Sequence, residues 1–224
     1  MRSDPNDRAP SFFRAQLAKT ILQVPEIRLL FKRDSAIRIA DVGCGRGYWL
    51  EYLSCWSQQP DEVFGLERDW ERVEIARNRS EQAHVVVGDA RDLPWAAASF
   101  DLVSQFLVFT SILNPADRLH IASEMSRVLK PGGYILWYDF FAPNPGNRRT
   151  RAIRRAEIAT LFPDCQIKLQ RVTLAPPLAR LSLRIGKKLA EALDRIPFLC
   201  THYLAIIERC RRKIKLDAGA LLPP

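Results

Sequence analysis

The sequence predicts an α/β fold, with a doubly wound, mostly parallel sheet of seven strands. Short apolar segments alternate with helical patterns along most of the chain, as expected for parallel strands joined by helical crossovers. A glycine-rich loop, with Gly43, Gly45 and Gly47 at alternate positions, follows the first predicted strand. Acidic residues then follow the next two strands, at Glu67 and Asp89. Since ligands of open parallel sheets bind at the carboxyl ends of the strands, these residues predict a common ligand site.

Hydrophobic periodicity and helix-stopping residues place the elements. Apolar residues at helical spacing predict a helix over 12–32, interrupted at Pro25. Strands are predicted over 36–41, 62–66, 83–87, 100–105, 134–140, 166–174 and 201–208. The other helices are predicted over 47–56, 69–77, 153–161 and 178–194, with one more opening at Pro115. The run Lys130-Pro-Gly-Gly133 is expected to end the helix that Pro115 opens, because proline cannot continue a helix.

The composition indicates a cytoplasmic protein of one domain. A length of 224 residues with 47% apolar content is enough for a complete core. The five cysteines are odd in number and form no C-x-x-C pair, so neither a disulfide framework nor a metal site is predicted. The first residues lack the apolar stretch of a signal peptide, and the longest uncharged stretch, 102–116, is too short to span a bilayer.

The net charge of +9 is unevenly distributed. Residues 1–140 hold 17 basic and 19 acidic side chains, whereas residues 141–224 hold 17 basic and 6 acidic ones. This asymmetry indicates an anionic partner such as a phosphorylated substrate, a nucleic acid or a membrane surface, or else a solvated face.

The glycine spacing separates two kinds of nucleotide site. A dinucleotide fingerprint, G-x-G-x-x-G, would require glycine at position 48, where the chain has Tyr48. The spacing therefore disfavours a nicotinamide-dependent oxidoreductase. The pattern D-x-G-x-G-x-G instead resembles the first motif of the class I methyltransferases that depend on S-adenosylmethionine (SAM).

Further motifs strengthen this resemblance over residues 36–140. They are Asp-Val-Gly-Cys-Gly-Arg-Gly, Leu-Glu, Gly-Asp-Ala-x-x-Leu-Pro, Ser-Phe-Asp-Leu-Val and Arg-Val-Leu-Lys-Pro-Gly-Gly, in the order of the methyltransferase core. The chain looks most like the small-molecule branch called type 11. The resemblance implies SAM as cofactor and an antiparallel edge in the closing part of the sheet. It also implies a helical cap (1–35), a SAM-binding core (36–140), an acceptor-side part of the same domain (141–210) and a flexible basic tail (211–224).

The acidic residues have distinct expected roles toward SAM. Glu67 can accept hydrogen bonds from both ribose hydroxyls, and Asp89 can accept the adenine amino group beside the Ala90 amide. Asp41 can orient the glycine loop and the amino end of the methionine moiety. The full set of expected cofactor-binding residues is Asp41, Gly43, Gly45, Gly47, Glu67, Arg68, Asp89, Ala90 and Gln105.

Methyl transfer needs no covalent catalysis, because alignment of donor and acceptor supplies much of the acceleration. Candidate catalytic residues follow the fourth and fifth strands and the start of the last one: Gln105, Asp139 and His202. A base is required only when the acceptor must lose a proton. Asp139 could instead cap a loop, and His202 could be a structural histidine. Ser104–Leu107 stands where methyltransferases of exocyclic amines carry Asn/Asp-Pro-Pro-Tyr/Phe, which argues against nucleic-acid amines.

The acceptor side offers only charge as a guide. Arginines at 148, 149, 151, 154 and 155 suit a phosphate, and residues 178–195 form a basic amphipathic pattern that suits a membrane surface or an ordinary packed helix. The end of the chain is weakly similar to methyltransferases of polysaccharide assembly. A small-molecule acceptor, or a glycan on a lipid or nucleotide phosphate, with an oxygen or nitrogen nucleophile, is therefore expected. The alternatives are an RNA methyltransferase and a non-catalytic SAM-binding partner subunit; the oligomeric state is left open.

Overall fold

The computed structural model describes residues 5–57, 62–142, 147 and 149–209. The strands are β1 Ile39–Val42, β2 Val63–Glu67, β3 His84–Val87, β4 Phe100–Phe106, β5 Leu129–Phe140, β6 Cys165–Leu174 and β7 Cys200–Arg209. The helices are α1 Pro5–Gln23, α2 Pro25–Leu30, α3 Tyr48–Trp56, α4 Trp70–Arg79, α5 Pro115–Val128, α6 Arg155–Leu161, α7 Pro176–Ile185 and α8 Lys187–Asp194.

The seven strands form one sheet in the order β3-β2-β1-β4-β5-β7-β6. Strands β1 to β5 are parallel, and β7 pairs antiparallel with both β5 and β6. The predicted doubly wound fold with an antiparallel edge is confirmed. Because β7 runs against β5, its start lies at the carboxyl end of β5, where His202 pairs with Phe140.

Each face of the sheet supports its own apolar core. Ile39, Leu102 and Leu136 point toward the side covered by α1, α2 and α3. Their strand neighbours Val103 and Ile135 point toward the side of α5 and α6. This alternation follows from the two-residue period of a strand, and burial on both faces explains why the central strands read as continuous apolar runs.

Residue choice explains several element boundaries. Asp69 caps α4 by accepting a hydrogen bond from the amide of Arg72 at 3.1 Å, and Asn114 caps α5 in the same manner. Pro115 then occupies the first turn of α5, where a missing N–H costs nothing. The break predicted at Pro25 is confirmed, since α1 ends at Gln23 and α2 begins at Pro25.

Two predicted elements differ from the structure. The helix predicted over 178–194 is two helices separated at Gly186, whose backbone is extended and unsuited to a helix. Strand β5 begins at Leu129, so the Lys130–Gly133 run lies within the strand instead of forming a separate turn. Leu129 pairs with Phe100 across a register irregularity, which accommodates these residues in the ladder. In the described part of the chain no helix is both long and apolar enough to span a bilayer.

Candidate functional site

A cavity of about 740 Å³ lies at the carboxyl ends of β1, β2 and β4. The strand order reverses between β1 and β4, which is where open α/β sheets bind ligands. The glycine loop between β1 and α3 lines the cavity, together with residues of α1 and with Pro176 at the start of α7.

The glycine loop passes through backbone conformations that other residues rarely adopt. Gly43, Gly45 and Gly47 have φ angles of +70°, +56° and +78°. A Cβ on Gly43 would lie 2.6 Å from Cγ2 of Val108, whereas a Cβ on Gly45 would meet no atom within 4 Å. Gly45 therefore presents bare backbone to the cavity, and Gly43 permits the close approach of the segment after β4.

Glu67, the last residue of β2, links its strand to this loop. Its Oε2 accepts a hydrogen bond from the Gly45 amide at 3.0 Å. Its Oε1 accepts hydrogen bonds from the amides of Arg68 and Asp69 at 2.9 and 3.1 Å. The side chain lines the cavity. The three amides use three of the roughly four acceptor sites of a carboxylate, which leaves about one site, on Oε2.

Asp41 is a buried carboxyl group at the edge of the cavity. Its exposed fraction is 2%, and it accepts a hydrogen bond from the Ser104 hydroxyl at 2.7 Å. Burial raises the pKa of Asp41 to about 7; the Ser104 hydrogen bond opposes this and the nearby Glu67 carboxylate adds to it. No described side chain forms an ion pair with Asp41. A cation in the cavity would therefore stabilise the ionised form of the Asp41 carboxyl group.

Asp89 also reaches the cavity, but it already has a cationic partner. Arg91 donates to its carboxylate from Nε at 3.0 Å and from Nη2 at 2.7 Å. These hydrogen bonds lower the pKa of Asp89 to about 2, and Arg91 also lies 3.5 Å from Asp117. Asp89 is therefore held as a carboxylate beside the Ala90 backbone.

The other end of the cavity is aromatic. Trp49 and Phe106 stack with ring centroids 4.0 Å apart, and the rings of Tyr138 and His202 are parallel at 4.9 Å. The Tyr138 hydroxyl lies 2.9 Å from Oγ1 of Thr173. Thr173 has a φ of +66°, which is strained for a β-branched residue. Such strain is typical of functional sites, and all five of these residues line the cavity.

His202 is the titratable group at this aromatic end. Burial lowers its pKa to about 4, so the imidazole is uncharged at neutral pH. Its Nδ1 lies 3.0 Å from the Thr201 hydroxyl. A neutral imidazole can accept a hydrogen bond or a proton from a molecule in the cavity.

Comparison with known proteins agrees with this geometry. Residues 40–137 match the family model described as a methyltransferase domain. The matched segment begins at β1 and ends in β5, and it contains the glycine loop, Glu67 and Asp89. This segment of the chain, a little under half of its length, is thus similar to a methyltransferase domain.

Named relatives share this domain over part of their length. A demethylmenaquinone methyltransferase from Staphylococcus aureus is 33% identical over 110 residues, which are 48% of this chain and 44% of that protein. A fatty-acid O-methyltransferase from Mycolicibacterium smegmatis is 36% identical over 104 residues, 46% of this chain and 36% of that protein. The chain thus spans less than half the length of these relatives.

Solved structures extend the likeness in fold beyond the domain. A SAM-dependent methyltransferase from Methanosarcina mazei superposes with a TM-score of 0.59 at 20% identity, covering 82% of this chain and 97% of that one. At 20% sequence identity, this similarity shows a shared fold alone.

The residues of this methyltransferase domain fit SAM, the cofactor of the family. Gly45 leaves room for close backbone approach. The acceptor site that remains on Oε2 of Glu67 suits one ribose hydroxyl, and not both as the sequence predicts, because amides occupy Oε1. Asp41 is a buried carboxyl group without a described cationic partner, which suits the ammonium or sulfonium of SAM. Asp89 and Ala90, expected at the adenine end, line the same cavity.

We expect the affinity for SAM to rise with pH, because a cation favours ionised Asp41. The pKa of Asp41 is above its unfolded value, so the stability associated with its neutral form is largest at acid pH and is lost as pH rises toward 7. Cation binding below that pKa should therefore release a proton. Titration calorimetry between about pH 6 and pH 8, in buffers of different ionisation enthalpy, measures this release.

Asp41→Asn should abolish most of the proton release and weaken SAM binding at the upper end of this range by roughly tenfold. Asp139→Asn is the matched control, because burial also raises the pKa of Asp139 to about 7 but its side chain lies outside the cavity lining. Equal proton release by wild type and Asp41→Asn would contradict the assignment.

The structure places three predicted site residues outside the cavity lining. Gly47 faces helix α4, since a Cβ there would lie 2.8 Å from Cα of Ala76. Gln105 and Asp139 are fully buried beneath the turn after β4. The other predicted residues, Asp41, Gly43, Gly45, Glu67, Arg68, Asp89, Ala90 and His202, all line the cavity.

Gln105 and Asp139 form a network that supports the turn after β4. Gln105 Nε2 donates to Asp139 Oδ2 at 3.0 Å, and Gln105 Oε1 accepts from the Val108 amide at 3.0 Å. Asp139 Oδ1 accepts from the Thr110 amide at 3.3 Å. The turn contributes Leu107, with a φ of +63°, and Val108 to the cavity wall. Gln105 and Asp139 thus act on the cavity through this turn and are positioning residues.

We expect Asp139→Ala to lower the free energy of unfolding by about 2–4 kcal/mol, because it leaves the Gln105 side-chain amide and the Thr110 amide unpaired. Gln105→Ala should have a smaller effect. Urea unfolding of both single variants and the double variant should reveal a coupling of about 1 kcal/mol. Strict additivity would show that the two side chains act independently.

Some cavity residues were not predicted from the sequence. Phe13, Arg14 and Leu17 reach the cavity from α1, and Thr173 reaches it from β6. Phe13 and Leu17 belong to the apolar stripe of the first predicted helix, whereas no sequence pattern indicates Arg14 or Thr173. The arginines at 149, 151, 154 and 155 do not line the cavity, and Arg151 instead pairs with Glu157. Arg148 and the predicted basic tail, 211–224, lie outside the described residues.

Proposed function

We propose that this protein is a SAM-dependent methyltransferase that acts on a small acceptor with an aromatic or extended apolar portion. The observation that carries the proposal is the continuity of one cavity from Glu67 and the glycine loop to the stacked rings of Tyr138 and His202. SAM, when bound, supplies an electrophilic methyl group that a nucleophile takes by direct displacement.

The residues of the chain supply position and proton acceptance. Phe13, Leu17 and the Trp49–Phe106 pair provide apolar and aromatic surface for the acceptor. His202, uncharged at neutral pH, accepts the hydrogen bond or proton of an acceptor hydroxyl or amine. Its low basicity suits orientation of an acidic hydroxyl or a carboxylic acid better than deprotonation of an alcohol.

The relatives support an apolar acceptor. The names of the two curated relatives refer to a demethylmenaquinone and a fatty acid. A glycan on a lipid or nucleotide phosphate is the more specific alternative that the arginine-rich segment suggests. Its support is weaker, because none of the arginines at 149, 151, 154 and 155 lines the cavity.

Labelled SAM carrying a trideuterated methyl group tests the proposal. The protein is incubated with separated extracts of small organic molecules, glycans and RNA, and each fraction is examined by mass spectrometry. We expect label in the organic fraction. Label confined to glycans or RNA would overturn the proposed acceptor, and SAM binding without label in any fraction would indicate a non-catalytic SAM-binding subunit.

We expect His202→Gln to reduce turnover of the acceptor by roughly tenfold while leaving the affinity for SAM unchanged, because glutamine keeps an acceptor oxygen but not its position. His120→Gln is the matched control, because His120 is exposed on α5 and does not line the cavity. Unchanged turnover in His202→Gln would remove His202 from the proposed mechanism and leave alignment of the substrates as the source of rate.

A further inference from the structure

Residues 178–198, which we call the α7–α8 surface, expose an unusual number of large apolar side chains. Of thirteen such exposed side chains in the described residues, six lie here: Leu178, Leu181, Ile185, Leu189, Ile196 and Phe198. Ile185 is 72% exposed and Phe198 is 88% exposed. A concentration of exposed large apolar side chains in one segment is typical of an interaction site.

Helix geometry gathers part of this set into a stripe. Leu178, Leu181 and Ile185 are three and four residues apart on α7, so they share one side of the helix. Ala179 and Ser182 are buried on a different side, against the protein. Helix α8 packs beside α7 and beside the turn that carries Phe198, so the three elements with exposed apolar residues are neighbours in the fold.

The same surface is rich in free positive charge. Its basic residues are Arg180, Arg184, Lys187, Lys188 and Arg195. Its two acidic residues are already engaged: Glu191 lies 3.9 Å from both Lys19 and Lys187, and Asp194 accepts a hydrogen bond from the Leu174 amide at 2.7 Å. Among the described residues, Arg180, Arg184, Lys188 and Arg195 take part in no ion pair.

We propose that the α7–α8 surface docks the protein onto an anionic lipid bilayer. Amphipathic helices that combine an apolar stripe with Lys and Arg lie in the plane of a bilayer interface, with the apolar residues inserted and the basic ones near lipid phosphates. Here Leu181, Ile185 and Phe198 would be inserted, while Arg180 and Arg184 would contact the headgroups.

The docking surface adjoins the substrate cavity. Pro176, in the first turn of α7, lines the cavity two residues before Leu178. Docking would therefore place this part of the cavity wall close to the bilayer. One consequence rests on the proposed methyltransferase function: an acceptor with an apolar chain would enter the cavity from the lipid phase.

Sedimentation with phosphatidylcholine vesicles, with or without phosphatidylglycerol, tests docking without requiring turnover. We expect wild type to bind only the vesicles that contain phosphatidylglycerol. The double variants L181S/I185S and R180Q/R184Q should each lower the partition coefficient by roughly tenfold or more. Because binding is measured directly, failure of the methyltransferase proposal would leave this result unchanged.

Matched controls lie on the opposite side of the sheet. L119S alters an exposed leucine of α5, and R154Q/R155Q removes the same charge from the start of α6 as R180Q/R184Q removes from α7. Both should bind like wild type, with unchanged thermal unfolding in all variants. Equal binding to both vesicle types, or equal loss in control and test variants, would overturn the proposal. So would a dimer, seen by light scattering, that L181S/I185S dissociates.

Discussion

Replacing Glu67 by alanine is expected to weaken SAM binding by roughly 100-fold or more. The carboxylate has two tasks in this structure. It ties β2 to the glycine loop through the Gly45 amide, and it presents the remaining acceptor site of Oε2 to the cavity. Alanine removes both the acceptors and the loop tether, so cofactor affinity should fall more than for any other single change in the cavity. Titration calorimetry with SAM measures the loss.

Two variants separate the two tasks of Glu67. Glu67→Gln keeps an acceptor oxygen and the side-chain volume but loses the charge, so we expect an intermediate loss of affinity. Glu71→Ala is the charge-matched control, because Glu71 is an exposed residue in the first turn of α4. An affinity of Glu67→Ala within a factor of about three of wild type would exclude Glu67 as a principal SAM ligand.

The parallel half of the fold could be predicted from sequence because its signals are local. The apolar runs of β1, β2 and β4 are largely buried on both faces, and the glycines or acids at the ends of β1, β2 and β3 reflect the ligand edge of the sheet. The residues expected to bind SAM could be predicted for the same reason. Glu67 and Asp89 face the cavity because parallel strands end at the same edge.

The acceptor side was harder to predict because its geometry depends on non-local packing. Asp139 and Gln105 stand at the ends of neighbouring strands, and the sequence does not specify whether they face a cavity or each other. In the structure the two side chains hydrogen-bond to each other and to amides of the turn after Leu107, so they support this turn from beneath the cavity wall. His202 reaches the cavity only because β7 runs antiparallel to β5.

The break between α7 and α8 at Gly186 shows what hydrophobic periodicity cannot predict. Leucine and arginine keep a helical spacing on both sides of this glycine, so periodicity alone predicts one helix over 178–194. A glycine inside a helix costs about 1 kcal/mol relative to alanine, which allows tertiary packing to decide its conformation. Here the chain takes an extended conformation at Gly186 and starts a second helix, which packs beside the first.

Gly47→Ala is expected to lower the free energy of unfolding by about 2–5 kcal/mol, and Gly45→Ala by only about 1–2 kcal/mol. Both glycines have a positive φ, so both substitutions incur the left-handed conformational cost. They differ in what the new methyl group meets. At Gly47 it would lie 2.8 Å from Cα of Ala76, in the backbone of α4, whereas at Gly45 it would enter the cavity.

Cofactor binding should show the reverse order. Gly45→Ala places its methyl group in the cavity, where we propose that SAM approaches the backbone. The affinity of this variant for SAM should therefore fall although its fold is largely retained. Among the molecules that remain folded, Gly47→Ala should lose less affinity for SAM, because its methyl group lies outside the cavity lining. Urea unfolding and calorimetry on the same two samples measure both quantities. If the two variants rank in the same order in both experiments, the separation of Gly47 as a packing residue from Gly45 as a cofactor-contacting residue is wrong.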